Sequence, residues 1–285
     1  RMDIIMYSFP IGVLLDSFRT DVPSALKKAA GVGVQGIQVY ATHGELSAEN
    51  LTGVKRREFL DMVKAHGLTI SALCGDLGHG FGKPERNPDL IERSKRILDL
   101  AKDLETDIVT THIGVIPADP NHERYKIMQD ACGMLCRYAD DVQAHFAIET
   151  GPEIAITLKT FLDSLGSKGV AVNFDPANFV MVTGDDPVQA VYTLRDYIVH
   201  THAKDGSKLL DSDPEVIYGI IEDVIQEGKA FAELPLGEGD VDFPNYLAAL
   251  DEIGYRGYLT VEREVGENPE ADIRRAVEFL KNLTR

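Results

Sequence analysis

The sequence predicts a single (β/α)8 barrel over residues 1–285. Three observations carry that expectation. Short β-branched runs alternate with longer amphipathic stretches along the whole chain, eight such runs can be counted, and the 285 residues are close to the about 250 that one such barrel takes. Alternation of this kind builds parallel strands joined by crossover helices.

The eight runs are Asp3–Tyr7, Val34–Tyr40, Leu68–Cys74, Asp107–His112, Ala144–Glu149, Val170–Asp175, Tyr197–His202 and Tyr258–Glu262. Between them, LIERSKRILDLAKDL puts Leu90, Ile97, Ala101 and Leu104 on one stripe with charges opposite, as an outer-ring helix requires. The segments VGVQGIQV, GLTISAL and GYRGYLTV each follow a helical pattern and carry the glycine that ends a helix before a strand. The longest connection, Lys204 to Arg256, holds an amphipathic piece, PEVIYGIIEDVIQEG, and a glycine-rich PLGEGDVDFP. It reads as a long loop at the functional face. A doubly wound open sheet is the competing arrangement, but no GxGxxG follows the first run and no GxxxxGK[ST] occurs anywhere.

Hydrophobic residues make up 44% of the chain, enough for a sizeable core. The formal charge of −17 repels polyanions, so nucleic acid is not an expected partner. No uncharged apolar run approaches the roughly 20 residues of a membrane span, and the N-terminus lacks a basic-then-apolar leader. Arg1 ahead of Met2 reads as a remnant of processing. No membrane association and a cytoplasmic location are therefore expected. Cys74, Cys132 and Cys136 form neither a zinc-type CxxC pair nor a disulfide framework, in keeping with a reducing compartment. Cys132 and Cys136, one helical turn apart among apolar neighbours, read as packing.

The last positions of the apolar runs are repeatedly ionisable: HIG, IET, NFD, HAKD and VER close the fourth to eighth. In a closed parallel barrel all these ends converge on one face. Carboxylates brought together repel unless a cation lies among them. Glu149, Asp175, His202 and Glu262 are thus candidate ligands of one divalent metal ion, with Mn2+ favoured and Mg2+, Co2+ or Zn2+ allowed. His200, two residues away, faces the same side as His202, and spacing leaves both open; His202 is nearer the strand end. His112 is a candidate to bind a hydroxyl or carry a proton. Glu153 is a candidate for a sugar-hydroxyl contact or for capping a helix start. Lys204 would stabilise an oxyanion, or pair with Asp205 or Asp175. Asp76 and the backbone of Gly237–Gly239 are candidates for the pocket wall. Only Lys204 and Arg263 are cationic near the strand ends, which disfavours phosphorylated substrates.

At these residues the chain resembles the xylose-isomerase-like barrel superfamily, which includes sugar isomerases, ketose 3-epimerases, inosose dehydratases and AP endonucleases. The resemblance spans nearly the whole chain. It is carried by FAIETGPE at 146–153, VNFDPANF at 172–179, VHTHAKD at 199–205, PLGEGDVDF at 235–243 and GYLTVERE at 257–264. The resemblance implies Glu149, Asp175, His202 and Glu262 as metal ligands, and Glu149 and Glu262 also as acid and base. The endonuclease branch needs a histidine in a DPxH motif and a DxH pair. This chain has Asn178 in DPAN, and only Asp211 and Asp213 in the later loop, so DNA repair is not expected. Asn178 is then a candidate substrate contact.

The implied function is a divalent-metal-dependent isomerase or epimerase that acts on a small ketose, keto-sugar or related polyol through an enediolate. A metal-dependent lyase of the inosose dehydratase or oxidised-glycoside type is the nearest alternative. A non-catalytic sugar-binding subunit is another. Exposed apolar loop segments would be compatible with a homo-oligomer.

Overall fold

A strand covered by helices on one face and by the barrel interior on the other must be apolar along its length. The buried runs of this chain have that character. The computed structural model describes residues 7–221 and 228–284. Strands β1 (Ile11–Leu14), β2 (Gly36–Tyr40), β3 (Thr69–Cys74), β4 (Ile108–Thr111), β5 (His145–Glu149), β6 (Val170–Phe174) and β7 (Ile198–Ala203) pair in parallel in chain order. After a two-stranded antiparallel hairpin of β8 (Asp205–Lys208) and β9 (Phe231–Leu234), strand β10 (Leu259–Val261) joins β7 to β1 and closes the barrel.

Helices α1 (Val22–Val32), α2 (Val54–Ala65), α3 (Asn87–Asp103), α4 (Glu123–Asp141) and α5 (Ala155–Leu165) alternate with the first six strands. A short turn α6 (Pro176–Asn178) and α7 (Pro187–Thr193) precede β7; α8 (Pro214–Ile217), α9 (Phe243–Glu252) and α10 (Pro269–Thr284) follow it. The stripe expected on α3 is the one it buries, with Leu90, Ile97, Ala101 and Leu104 all in the core. Cys132 and Cys136 are buried free thiols on α4. Among the described residues no helix is long and apolar enough to cross a membrane.

The first strand departs from expectation. Residues 3–6 of the expected run lie outside the described residues, Tyr7 belongs to no strand, and the barrel strand is Ile11–Leu14. Pro10 cannot donate, but its carbonyl accepts from Leu259 N at 2.9 Å, and pairing then runs from Ile11↔Leu259 to Val13↔Val261. A proline at the entry of a strand costs no ladder bond, so Pro10 opens this strand. The long connection also differs: within its expected amphipathic piece α8 is a single turn, and residues 222–227 lie outside the described residues.

Two register shifts interrupt the ladders, one between Ile37 and Gln38 opposite β3, the other between Val172 and Asn173 opposite β7. Shifts of this kind re-aim side chains and occur often beside functional sites. Here they accompany a band of buried polar groups inside the barrel: Gln38, Thr110, Asn173, His200 and Thr260.

Candidate metal centre

Barrel closure turns the C-terminal strand ends to one face, and four of them bring an ionisable group. Glu149 ends β5, Asp175 follows β6, His202 lies in β7 and Glu262 follows β10. One donor atom from each lies within 4.8 Å of all the others, and all four residues are buried. Nδ1 of His202 is 2.7 Å from Oε1 of Glu149, 3.2 Å from Oε2 of Glu262 and 3.5 Å from Oδ2 of Asp175. Yet His202 Nδ1 and Asp175 Oδ2 have no hydrogen-bond partner in the right direction. Buried polar atoms are seldom left so.

Donor atoms that converge on a common point fit a bound cation. Two unit charges 4 Å apart repel by about 4 kcal/mol even at an effective dielectric of 20, so three carboxylates this close need positive charge among them. Three oxygen donors and one imidazole suit a divalent ion, and Glu149, Asp175, His202 and Glu262 are the residues that would hold it. The donor set does not choose among Mn2+, Mg2+, Co2+ and Zn2+.

Local structure aims each donor. Asp175 Oδ1 accepts from Ala177 N at 2.9 Å and Asn178 N at 3.2 Å, capping the α6 turn and leaving Oδ2 to the centre. Glu149 Oε1 accepts from Asn173 Nδ2 at 3.2 Å. Asn178 donates to Thr150 O at 3.1 Å and reaches Glu149 Oε2 at 3.5 Å. Gly151 makes room for Asn178: its φ is +136°, and a Cβ there would sit 2.3 Å from Asn178 Cβ. His200 is spent elsewhere, with Nδ1 2.8 Å from Asn173 Oδ1 and Nε2 3.0 Å from Thr260 Oγ1. Burial, helped by neighbouring His202, lowers its pKa to about 3. Of the two histidines, His202 is the one facing the three carboxylates.

The charges support one another. Burial opposes ionisation of Glu149, but His112 and His202 outweigh it and hold the carboxyl well below its usual range. Glu262 likewise falls to about 2, because Lys204 and His202 overcome its burial. Burial would discharge Lys204; Glu262 and Asp175 reverse that and keep it an ammonium. Its Nζ is 3.3 Å from Glu262 Oε2, 3.4 Å from Glu264 Oε1 and 3.8 Å from Asp175 Oδ2. Asp205 is not its partner. That carboxylate accepts four backbone N–H groups, from Gly206, Gly237, Gly239 and Val241, at 2.8–3.1 Å. The amides of Gly237 and Gly239 therefore latch the glycine-rich loop onto Asp205.

A cavity of about 430 Å³ reaches the centre at Glu149, with His112, Glu149, Asn178, Lys204, Tyr218 and Phe231 in its wall. His112 bridges two carboxylates, with Nε2 2.5 Å from Glu149 Oε2 and Nδ1 3.0 Å from Asp76 Oδ2. Asp76 thus stands behind His112. Glu153 is buried, and its Oε2 accepts from Ile116 N at 3.2 Å. It borders a neighbouring groove of about 620 Å³ beside Val115, Ile154 and Val182. The start of α5 is capped by Asp185, which accepts from Ala155 N at 2.8 Å. Arg263 is taken up by Glu233 and Asp272.

Sequence reasoning missed Gln38, Asn173, Glu264 and Tyr218. Gln38 and Asn173 did leave a signal, a lone amide within an apolar strand. Tyr218, in the long connection, left none.

The sequence profile described as a xylose isomerase-like TIM barrel matches residues 26–283, nearly the whole chain. The chain belongs to this family. Among its relatives, the inosose dehydratase of Clostridium beijerinckii is 25% identical over 179 residues, 58% of this chain and 56% of that protein. The chain spans little more than half the length of the first curated relatives it matches. The crystal structure of a xylose isomerase domain protein from Planctomyces limnophilus superposes with a TM-score of 0.78 at 25% identity, over 98% of this chain and 96% of that one. A D-tagatose 3-epimerase-like protein superposes with a TM-score of 0.74 over 96% and 97% of the two chains; at 18% identity it speaks for the fold alone. A 3-keto-D-glucoside 4-epimerase from E. coli shares the fold, with a TM-score of 0.71 at 16% identity over 97% of this chain and 99% of that one.

Proposed function

We propose that the protein is a divalent-metal-dependent isomerase or epimerase acting on a small ketose, keto-sugar or related polyol. One observation carries the reading: two buried carboxylates, Glu149 and Glu262, converge with the unpartnered Asp175 Oδ2 and His202 Nδ1, and Glu149 opens onto a cavity. A divalent ion held by these four residues supplies the charge that polarises a carbonyl and acidifies the neighbouring C–H. Glu149 and Glu262 are kept ionised by their cationic neighbours and so can accept that proton; those neighbours also weaken them as bases, and it is the acidity the ion would lend the C–H that makes the transfer feasible. Removal by one and return by the other inverts a carbon. Return to the adjoining carbon interconverts aldose and ketose. Asp175 and His202 are left to hold the ion, and Lys204 balances the charge of Glu262.

A second reading has its own support. His112 lies in the cavity wall with Asp76 behind it, which adds a proton donor to the two carboxylates. A donor so placed suits departure of a β-hydroxyl as water, the chemistry of a dehydratase.

The test is metal analysis of the purified protein, followed by a screen of ketoses and keto-polyols in D2O. An isomerase or epimerase incorporates solvent deuterium at the reacting carbon with no change of composition, and a dehydratase yields a product lighter by one water. An active enzyme with no solvent exchange would sink proton transfer in favour of hydride transfer. A sugar-binding function untouched by Glu149→Gln and Glu262→Gln would sink both enzymic readings.

A further inference from the structure

A histidine ligand presents one ring nitrogen to a metal and must commit the other to a proton. What fixes that choice is the hydrogen bond on the far side of the ring. For His202 the far-side atom is Nε2, and 2.8 Å from it stands Oε1 of Gln38. Gln38 comes from β2, 164 positions away in sequence, and is only 1% exposed. No other residue bonds Nε2 among the described residues.

An amide presents either its oxygen or its NH2, so the contact with His202 alone does not say which. The rest of the chain of bonds does. Gln38 Nε2 is 2.8 Å from Thr110 Oγ1, and the Thr110 hydroxyl donates to Leu73 O at 3.4 Å. With its only proton committed to a carbonyl, Thr110 Oγ1 accepts from the Gln38 NH2. That turns Oε1 toward His202, and an acceptor there requires Nε2 to carry a proton. Nδ1 is thereby left as the atom for the ion, and it is the ring nitrogen without a partner that faces the carboxylates.

The backbone is shaped for this. The register of β2 on β3 shifts immediately before Gln38, from Ile37↔Ile70 to Gln38↔Ala72, so Ser71 has no partner across the ladder. The extra residue is accommodated in place: Ser71 Oγ donates to Ile37 O at 3.0 Å, and Ser71 O accepts from Thr106 Oγ1 at 2.9 Å. A bulge whose odd residue is tied at both its hydroxyl and its carbonyl is a built feature.

We propose that Gln38, oriented by Thr110, is a positioning residue that sets the His202 tautomer and so makes His202 an Nδ1 ligand. The proposal rests on the metal-centre reading, and its test separates the two. Ion affinity is measured on the full chain by competition with a chromogenic chelator, using Mn2+ and Co2+, together with the visible spectrum of the Co2+ form. Gln38→Met keeps the length of the side chain and removes the acceptor; it should weaken binding by roughly 10- to 100-fold and shift the Co2+ bands. Gln38→Glu keeps the acceptor and should bind within a few-fold of the parent, or tighter, since a carboxylate also orients the ring. Thr110→Val removes only the group that orients the amide and should give an intermediate loss.

Parental affinity and spectrum in Gln38→Met would overturn the proposal, as would an equal loss in Gln38→Glu. If Gln38→Met does not fold, Thr110→Val and Gln38→Glu decide in its place. A parent protein that binds neither ion fails the metal-centre reading itself, which is a different result.

Discussion

Nε2 of His112 lies 2.5 Å from Oε2 of Glu149, and the opposite nitrogen of the same ring meets Asp76 at 3.0 Å. The imidazole joins a buried carboxylate to a partly exposed one. Burial disfavours its charged form, but Glu149 and Asp76 prevail and raise its pKa well above the usual histidine value. A group so held can pass a proton to or from Glu149 without leaving the cavity wall.

His112→Gln keeps a polar side chain of similar reach and removes the proton carrier. Turnover of the substrate found by the D2O screen should fall by about 10²- to 10⁴-fold, the range for loss of a general acid or base, while ion affinity stays within a few-fold of the parent. Steady-state kinetics beside a chelator titration checks this. An unchanged kcat would remove His112 from the proton path.

Binding of an ion should release a proton. Without one, Glu262 and Glu149 overcome the burial of His202 and hold its pKa well above the usual value, so Nδ1 is protonated at neutral pH and must lose that proton to become a ligand. Below the raised pKa, affinity should therefore rise about tenfold per pH unit. Calorimetry in buffers of different ionisation enthalpy counts the proton. Release of none would mean that the imidazole is not a ligand.

Glu153 gives a stability prediction. Burial raises its carboxyl from 4.5 to about 8. Between those values the folded chain keeps a proton that the unfolded chain has lost, so the contribution of Glu153 is fully present below about pH 4.5 and declines as pH rises toward 8. Glu153→Gln cannot ionise and escapes the decline. Relative to the parent, it should gain little at pH 4.5 and on the order of 2–4 kcal/mol at pH 8. Denaturant unfolding at the two pH values measures it, and a gain independent of pH would contradict the assignment.

Asp205→Asn exchanges one carboxylate oxygen for an NH2 that faces N–H donors. The anchor of the 237–241 loop should weaken, with a loss of about 2–3 kcal/mol from amides left unpaired in a buried setting. Thermal unfolding reads the loss, and limited proteolysis should find its first new cut near Gly237–Gly239. A variant as stable as the parent would show that packing alone holds the loop.

Much of this arrangement was legible in the sequence because barrel topology turns one-dimensional order into position. Once eight runs were counted, the ends of β5, β6, β7 and β10 had to meet, and Glu149, Asp175, His202 and Glu262 are what those ends carry. The first strand was misread because DIIMY and IGVL are equally good strand formers; only pairing with Gly36 and Leu259 distinguishes Ile11–Leu14. His200 and His202 could not be separated by spacing, since both face the interior and their different partners come from other strands. Adjacency in sequence offers Asp205 as a partner for Lys204, yet the hairpin turns that carboxylate toward the glycine-rich loop. Gln38 shows in the sequence only as an amide within an apolar strand; its role depends on a register shift of one residue, which leaves no compositional trace.

The two bases also differ in their company. Glu149 touches an imidazole whose side chain is 36% exposed, whereas Glu262 touches the ammonium of Lys204, whose side chain is 6% exposed. Each base is therefore one side chain away from water, Glu149 through an imidazole and Glu262 through an ammonium that leads on to the 60% exposed Glu264. The two routes differ in kind: an imidazole hands a proton through from one ring nitrogen to the other, whereas an ammonium must turn to do so. A molecule seated between the bases would meet a relay on one side and a swivel on the other.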